Sequence, residues 1–212
     1  MTTDAETRPK RASVRNPHRG RVPYRFTADQ VLKMIELGII DDHEDVELWD
    51  GVIYKMVKGE IHNYMVNAAA ALLRSVMPQG YHVREEKSSI HGDSSLPEPD
   101  VAVARGEWGD TLPLPPSLEQ MALLVEVDHH TGRADRVEKL ARYAEVGVPV
   151  YWHIVVKSRE VRVHEGPRGS GSLAGYGTLN TYRPGQDFPI VIDGREVGRV
   201  AVADLFPPEK AK

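Results

Sequence analysis

The chain contains no cysteine. That excludes a disulfide scaffold, a thiolate zinc site, iron–sulfur ligation and a cysteine nucleophile. No apolar run approaches the length of a membrane-spanning helix, and the N-terminus, Met1-Thr2-Thr3-Asp4, lacks the apolar stretch of a signal peptide. A cytoplasmic protein without membrane association is the expectation. Neither Gly-x-Ser-x-Gly nor His-Glu-x-x-His occurs, so neither a serine-elbow hydrolase nor a helix-borne zinc hydrolase is supported. The glycines of residues 166–177 lack the Lys-Ser/Thr of a phosphate loop and the strand-to-helix placement of a dinucleotide fingerprint. No internal repeat is present.

What is there is ordinary in bulk and uneven in charge. A chain of 212 residues, 41% hydrophobic and 27% charged, suits one globular domain with a tail, large enough to bury a core without metal or disulfide staples. Arg8, Lys10, Arg11, Arg15, Arg19 and Arg21 face only Asp4 and Glu6 in residues 1–21, a net +4, which leaves −8 for the rest. A basic arm on an acidic body fits contact with a polyanion, and it fits a solubilising tail equally well. Residues 1–22 read as a disordered basic arm, 23–207 as a single domain and 208–212 as a charged tail.

Within that domain, Thr27 is placed to cap a short helix carrying Val31, Leu32, Ile35 and Leu37, stopped by Gly38. Residues 46–58 alternate around Asp50-Gly51, a hairpin signal. Met65, Ala69, Leu72, Leu73 and Val76 recur at helical steps over 62–77, ended by Pro78 and Gly80. Strands are expected over 81–87, 100–104 and 121–127, the last almost continuously apolar, with an irregular connection over 106–120. A second helix over 133–145 shows Val137, Leu140, Ala141 and Ala144 as its inner stripe. Strands over 148–156 and 159–164 follow, then a mobile glycine-rich loop over 166–177 and short strands over 178–182 and 188–202. The order helix, three strands, helix, strand, with antiparallel hairpins added, predicts an α/β domain with a mixed sheet.

Three residues stand out chemically. Asp100 opens a strand after Pro99. Glu126 lies in a strand so apolar that its carboxylate needs a partner. Lys139 follows one turn into the next helix. Two carboxylates at neighbouring strand ends, with the backbone carbonyl of Val127, are hard oxygen ligands suited to Mg²⁺. The plain alternatives are a turn aspartate at Asp100 and, for Lys139, an i,i+4 surface pair with Asp135 worth about 0.3 kcal/mol. His129 and His130 are adjacent, and neighbours rarely converge on one ion. Tyr143, Tyr151 and Trp152 read as packing aromatics.

Pro99-Asp100, Val125-Glu126-Val127 and Asp135-Arg136-x-Glu138-Lys139-Leu140-x-x-Tyr143-x-x-x-Gly147-Val148-Pro149-x-Tyr151-Trp152 together resemble the Uma-two family of restriction-endonuclease-like proteins. That family belongs to the PD-(D/E)XK nuclease superfamily, in a variant whose lysine has moved from the strand to the following helix. The Glu47-Leu48-x-Asp50-Gly51 hairpin, His62 and Asp204-Leu205-Phe206 match the pattern too. The resemblance implies a restriction-endonuclease-like core, Asp100 and Glu126 as metal ligands, Lys139 as catalytic lysine, Glu47 and His62 as auxiliary residues, and Mg²⁺- or Mn²⁺-dependent cleavage of DNA. Cutting both strands would call for a homodimer.

The chain departs from the pattern after Glu126-Val127, where Asp128-His129-His130-Thr131 replaces a serine-proline turn. It departs again at Val150 and Val155-Val156, where the family carries acids. Asp128 shares a strand face with Glu126 and is a third ligand or a capping or loop acid. These departures motivate a second expectation, a catalytically inactive scaffold that binds nucleic acid or a protein partner.

Overall fold

The computed structural model describes residues 21–41, 43–128 and 133–208, with the side chains of 133–136 left aside. Most of the basic arm, most of the charged tail, and His129 and His130 lie outside the described residues. Thr27 caps the first helix, α1 (Ala28–Glu36), through a capping box: its Oγ1 accepts from the Gln30 amide, and the Gln30 side chain accepts from the Thr27 amide. Strands β1 (Val46–Trp49) and β2 (Val52–Lys55) meet at Asp50-Gly51, whose φ angles of 47° and 79° are those of a primed hairpin turn. Leu48 turns toward α1 and packs with Val31, Ile40 and Leu96, while Glu47 and Trp49 face the other way. The hairpin is thereby anchored by one face and free to offer Glu47 with the other.

Helix α2 (Glu60–Val76) buries Met65, Ala69 and Leu73 as its periodicity predicts. The sheet behind it runs β3 (Tyr81–Glu85), β4 (Val101–Arg105), β5 (Met121–Asp128), β6 (Val150–Val155), β7 (Glu160–Arg168) and β8 (Gly175–Tyr182) in spatial order. Within it β5 and β6 are parallel, joined through α3 (Arg133–Val146), and the other neighbouring pairs are antiparallel. The expected mixed sheet with added hairpins is what forms. One face of the sheet carries Val101, Leu123, Val125, Trp152 and Ile154 against α2. The hairpin β9 (Asp187–Ile192) and β10 (Arg195–Ala201) closes the same core with Phe188 and Ile190. The opposite face carries Leu124 and Tyr151 against Tyr143 of α3. Alternation along β5 thus sends Leu123, Val125 and Val127 to one core and leaves Glu126, with Leu124, on the other side.

Two expectations are corrected. Half of residues 166–177 are strand: β7 and β8 pair in register from Val161↔Tyr182 out to Arg168↔Gly175. Glycines at Gly169 (φ 76°) and Gly171 (φ 53°) let the chain reverse, and a Cβ on Gly169 would lie 2.3 Å from the Leu173 carbonyl oxygen. Val137 does not belong to the inner stripe of α3, being 60% exposed. That stripe is Leu140, Tyr143 and Ala144. The aromatics do pack: Trp152 meets Phe188 edge-on at 4.9 Å, and Tyr151 stacks with Tyr176 at 6.2 Å.

Candidate active site

The five residues singled out from the sequence come together at one end of the sheet. Asp100 immediately precedes β4, where the Glu86 amide donates to its carbonyl at 3.0 Å and fixes the strand entry. Its side chain is held at both oxygens. Oδ2 accepts the Val127 amide at 2.6 Å, and Oδ1 lies 3.0 Å from Nε2 of His62, in the first turn of α2. Val127 itself reaches the site through its backbone.

Glu126 enters from β5, with its side chain 13% exposed. Two residues of α3, four apart and so on one helix face, close on it: Tyr143 Oη donates to Oε1 at 2.6 Å and Lys139 Nζ approaches Oε2 at 3.3 Å. Lys139 also donates to Glu47 Oε1 at 3.0 Å. Glu47 is fixed in turn by the Trp49 indole N–H at Oε2, 3.1 Å, and by the Glu98 amide at Oε1, 3.3 Å. Helix, hairpin, strand and the segment before β4 therefore converge on one lysine and three acids.

Burial on this scale sets the protonation states. Burial opposes the Lys139 charge, but Glu126 and Glu47 outweigh it and raise the ammonium further above its usual range. Burial pushes the Glu126 carboxyl up. Lys139 pulls it down, and the charges of Asp100 and Glu47 push it up again, for a net rise. Burial also opposes a charged His62, and its contact with Asp100 reverses that into a rise. One ammonium does not compensate the acids around it.

Several contributors were not legible in the sequence. Lys58 is 11% exposed and lies 2.9 Å from Asp45, 3.2 Å from Glu86 and 3.0 Å from Glu98. Glu86, just after β3, brings a carboxylate oxygen near His62 and Asp100; one ligand atom from each of these three residues lies within 4.8 Å of the others. Nothing in the pattern announced Glu86, because a left-handed residue (φ 48°) places it there. Glu98 stood visibly between two prolines, and Tyr143 was read only as a packing ring. Asp128 ends β5, buried, with Oδ2 3.3 Å from His153 Nε2, and does not join the His62–Glu86–Asp100 group.

Two cavities flank the cluster. One, of about 360 Å³, is lined by Glu47 and Lys139 together with Lys55 and Arg142. The other, of about 750 Å³, is walled by Asp41, Glu44, Asp45, Glu85, Glu86 and Glu98, with Arg74, Lys87 and His43 also at its edge.

The sheet with its flanking helices is a nuclease-like fold. It is similar to the crystal structure of "a putative nuclease belonging to DUF820" from Anabaena variabilis ATCC 29413, with a TM-score of 0.63 and 17% identity over 85% of this chain and 97% of that one. Residues 28–193 match the model of the Uma2 (Uma-two) family, described as "Putative restriction endonuclease", and the chain belongs to that family. No curated protein matches the sequence. Among the described residues no helix is long and apolar enough to cross a membrane.

Proposed function

We propose that the protein is a divalent-metal-dependent endonuclease that hydrolyses phosphodiester bonds of DNA. The observation that carries the reading is the convergence of Lys139, from a helix, on Glu47 and Glu126 beside Asp100. The donor set suits a hard cation: two carboxylates on neighbouring strands, the Val127 backbone and an excess of buried negative charge. Asp100, Glu126 and the Val127 carbonyl would hold Mg²⁺ or Mn²⁺. Such an ion, when bound, supplies polarisation of the phosphate and a lower pKa for water.

The rest of the chemistry belongs to the chain. Lys139 stays protonated, so it is no base; it stabilises negative charge developing on the phosphate oxygens. Glu47 positions that ammonium, Tyr143 holds one oxygen of Glu126, and His62 with the Val127 amide fixes both oxygens of Asp100. The cavity bearing Lys55 and Arg142 opens on Lys139 and offers the cations an anionic backbone requires. In-line hydrolysis forms one P–O bond from water and breaks one to the leaving oxygen, giving a phosphate and a hydroxyl. Residues 23–207 act as the nuclease domain, the basic residues of 1–22 add backbone affinity, 208–212 form the tail, and a cytoplasmic homodimer cuts both strands.

A second reading, a scaffold that binds nucleic acid or a protein without cutting, draws on the acidic wall of the larger cavity, which repels a phosphate backbone. Cleavage of plasmid and single-stranded DNA with Mg²⁺ or Mn²⁺, beside Glu126→Ala and Lys139→Ala, separates the two. The nuclease cuts and both variants do not. Cutting that survives in the variants, or wild type that binds metal and nucleic acid without cutting either substrate, removes the nuclease reading.

A further inference from the structure

We infer that the cavity between the β1–β2 hairpin and α3 receives one unpaired base of the DNA strand, stacked on Tyr54, so that single-stranded or locally opened DNA is the preferred substrate. The inference deepens the nuclease reading and rests on it for placing the phosphate beside Lys139. Tyr54 of β2 stands directly opposite Glu47 of β1 in the hairpin register. Opposed residues of an antiparallel pair share a face, so the ring lies on the side that carries Glu47 and Trp49 to the site. There it lines the cavity of about 360 Å³, with Trp49 and Met56 from the hairpin segment and Lys139 and Arg142 from α3. That volume is at the small end of the roughly 300–1,000 Å³ of ligand pockets, the scale of one nucleoside.

The setting suits a base. Tyr54 is 50% exposed, while Glu47 and Trp49 on the same face are buried. An aromatic ring left half in water on a concave wall offers a π face, which stacks on any base without regard to sequence. The guanidinium of Arg142 already lies over the Trp49 ring, 4.7 Å from its centroid, and is held there by Asp50 and Glu138. Tyr54 rather than Trp49 is therefore the ring open to a base. Charge favours a nucleic acid strand as the occupant. Lys55, Lys139 and Arg142 line this cavity against two acids, Glu47 and Glu138. Around the cavity on the other flank of the cluster, six carboxylates outnumber two cations, Arg74 and Lys87. A phosphate chain is drawn to the first side and repelled from the second. Duplex DNA brings two backbones to the cluster, whereas a single strand can follow the cationic side alone. Turning a base out of a duplex also costs stacking and pairing that unpaired DNA has already lost.

The test is equilibrium binding of the full chain, followed by fluorescence anisotropy in chelator so that binding is read without cleavage. The probes are a labelled single strand of DNA, the same sequence as a blunt duplex, and a strand of abasic sites of equal length. Tyr54→Ala and Tyr54→Phe are compared with wild type, circular dichroism confirming that each is folded. Wild type should bind the single strand about tenfold tighter than the duplex. Tyr54→Ala should lose about tenfold on the base-bearing strand and little on the abasic one, while Tyr54→Phe keeps wild-type affinity for both. Equal affinity of wild type for strand and duplex overturns the inference. So does an equal loss by Tyr54→Ala on the two strands, no loss on either, a Tyr54→Phe as weak as Tyr54→Ala, or a wild type that binds none of the probes. Failure of the nuclease reading looks different: binding behaves as stated, and no DNA is cut once Mn²⁺ replaces the chelator.

Discussion

Lys139 Nζ lies 3.0 Å from Glu47 Oε1, a contact between residues 92 positions apart that joins α3 to the β1–β2 hairpin. Both side chains are withdrawn from solvent, at 9% and 3% exposure. A buried ion pair stabilises little or nothing relative to an apolar pair of the same volume. Its presence next to two further acids is better explained by chemistry than by folding. Lys139 is buried and points to Glu47 and Glu126 rather than lying on the surface.

Removing only the lysine should be expensive. Lys139→Met leaves Glu47 and Glu126 buried without their cation and should lower stability by about 3 kcal/mol. Adding Glu47→Leu should restore part of the loss. Urea unfolding of the two variants measures both effects, and a loss below about 1 kcal/mol would place the pair with ordinary surface ion pairs.

Tyr143→Phe deletes one hydroxyl from a buried ring. Glu126 Oε1 loses a donor at 2.6 Å, while the packing against Trp49 and Tyr151 stays. Stability should fall by about 1 kcal/mol. Metal affinity should fall about tenfold, as for other outer-shell partners. Chemical denaturation and calorimetry read the two quantities, and unchanged metal affinity would detach Tyr143 from the site.

Gly51→Ala tests the hairpin that delivers Glu47. At φ 79° an alanine is strained, and its Cβ would meet Arg25 Cβ at 2.7 Å. A loss of about 2 kcal/mol is expected, above the usual cost of the left-handed region because backbone also must shift. Thermal unfolding checks it, and a neutral result would mean that the segment before α1 gives way freely.

His164 supplies a pH dependence. Burial, then the nearby His153 and Arg162, lower its pKa from 6.5 to about 4. The folded state keeps the ring neutral where the unfolded chain protonates it, so its contribution is complete above pH 6.5 and is lost as pH falls toward 4. Allowing for residual solvent, the change is about 2 kcal/mol across that window. Unfolding free energies of wild type and His164→Phe from pH 4 to 7.5 should show the slope in the first and a flatter line in the second. Parallel lines would contradict it.

The sequence disclosed the elements well wherever one physical signal dominated. The apolar run of β5, the Asp50-Gly51 turn and the capping box at Thr27 each form as their residues require. It also brought out Glu126, because a carboxylate in an apolar strand has no comfortable bland role, and Asp100 and Lys139 through their placement relative to it. Glu47 and His62 entered only through family resemblance, since the contacts that bring them to the cluster reach across 38 and 92 residues. Glu86 and Lys58 stayed hidden for the same reason: a left-handed φ and a three-acid cage leave no periodicity. The run 166–177 misled because glycine is depleted from strands in general, yet here it lets a long hairpin turn and pair. Val137 misled because a helix stripe read by spacing alone can sit one position off the buried face.

The measurement that bears most directly on the central claim is cleavage of supercoiled plasmid by wild type and Asp100→Asn, with and without Mn²⁺. Asp100 links His62, the Val127 amide and the proposed metal, and the asparagine keeps its shape while removing its charge. Nicking that needs Mn²⁺, stops on chelation and is absent from a folded Asp100→Asn is the predicted result. Equal cleavage by both proteins, or cleavage that persists in chelator, would contradict a metal-dependent centre built on Asp100.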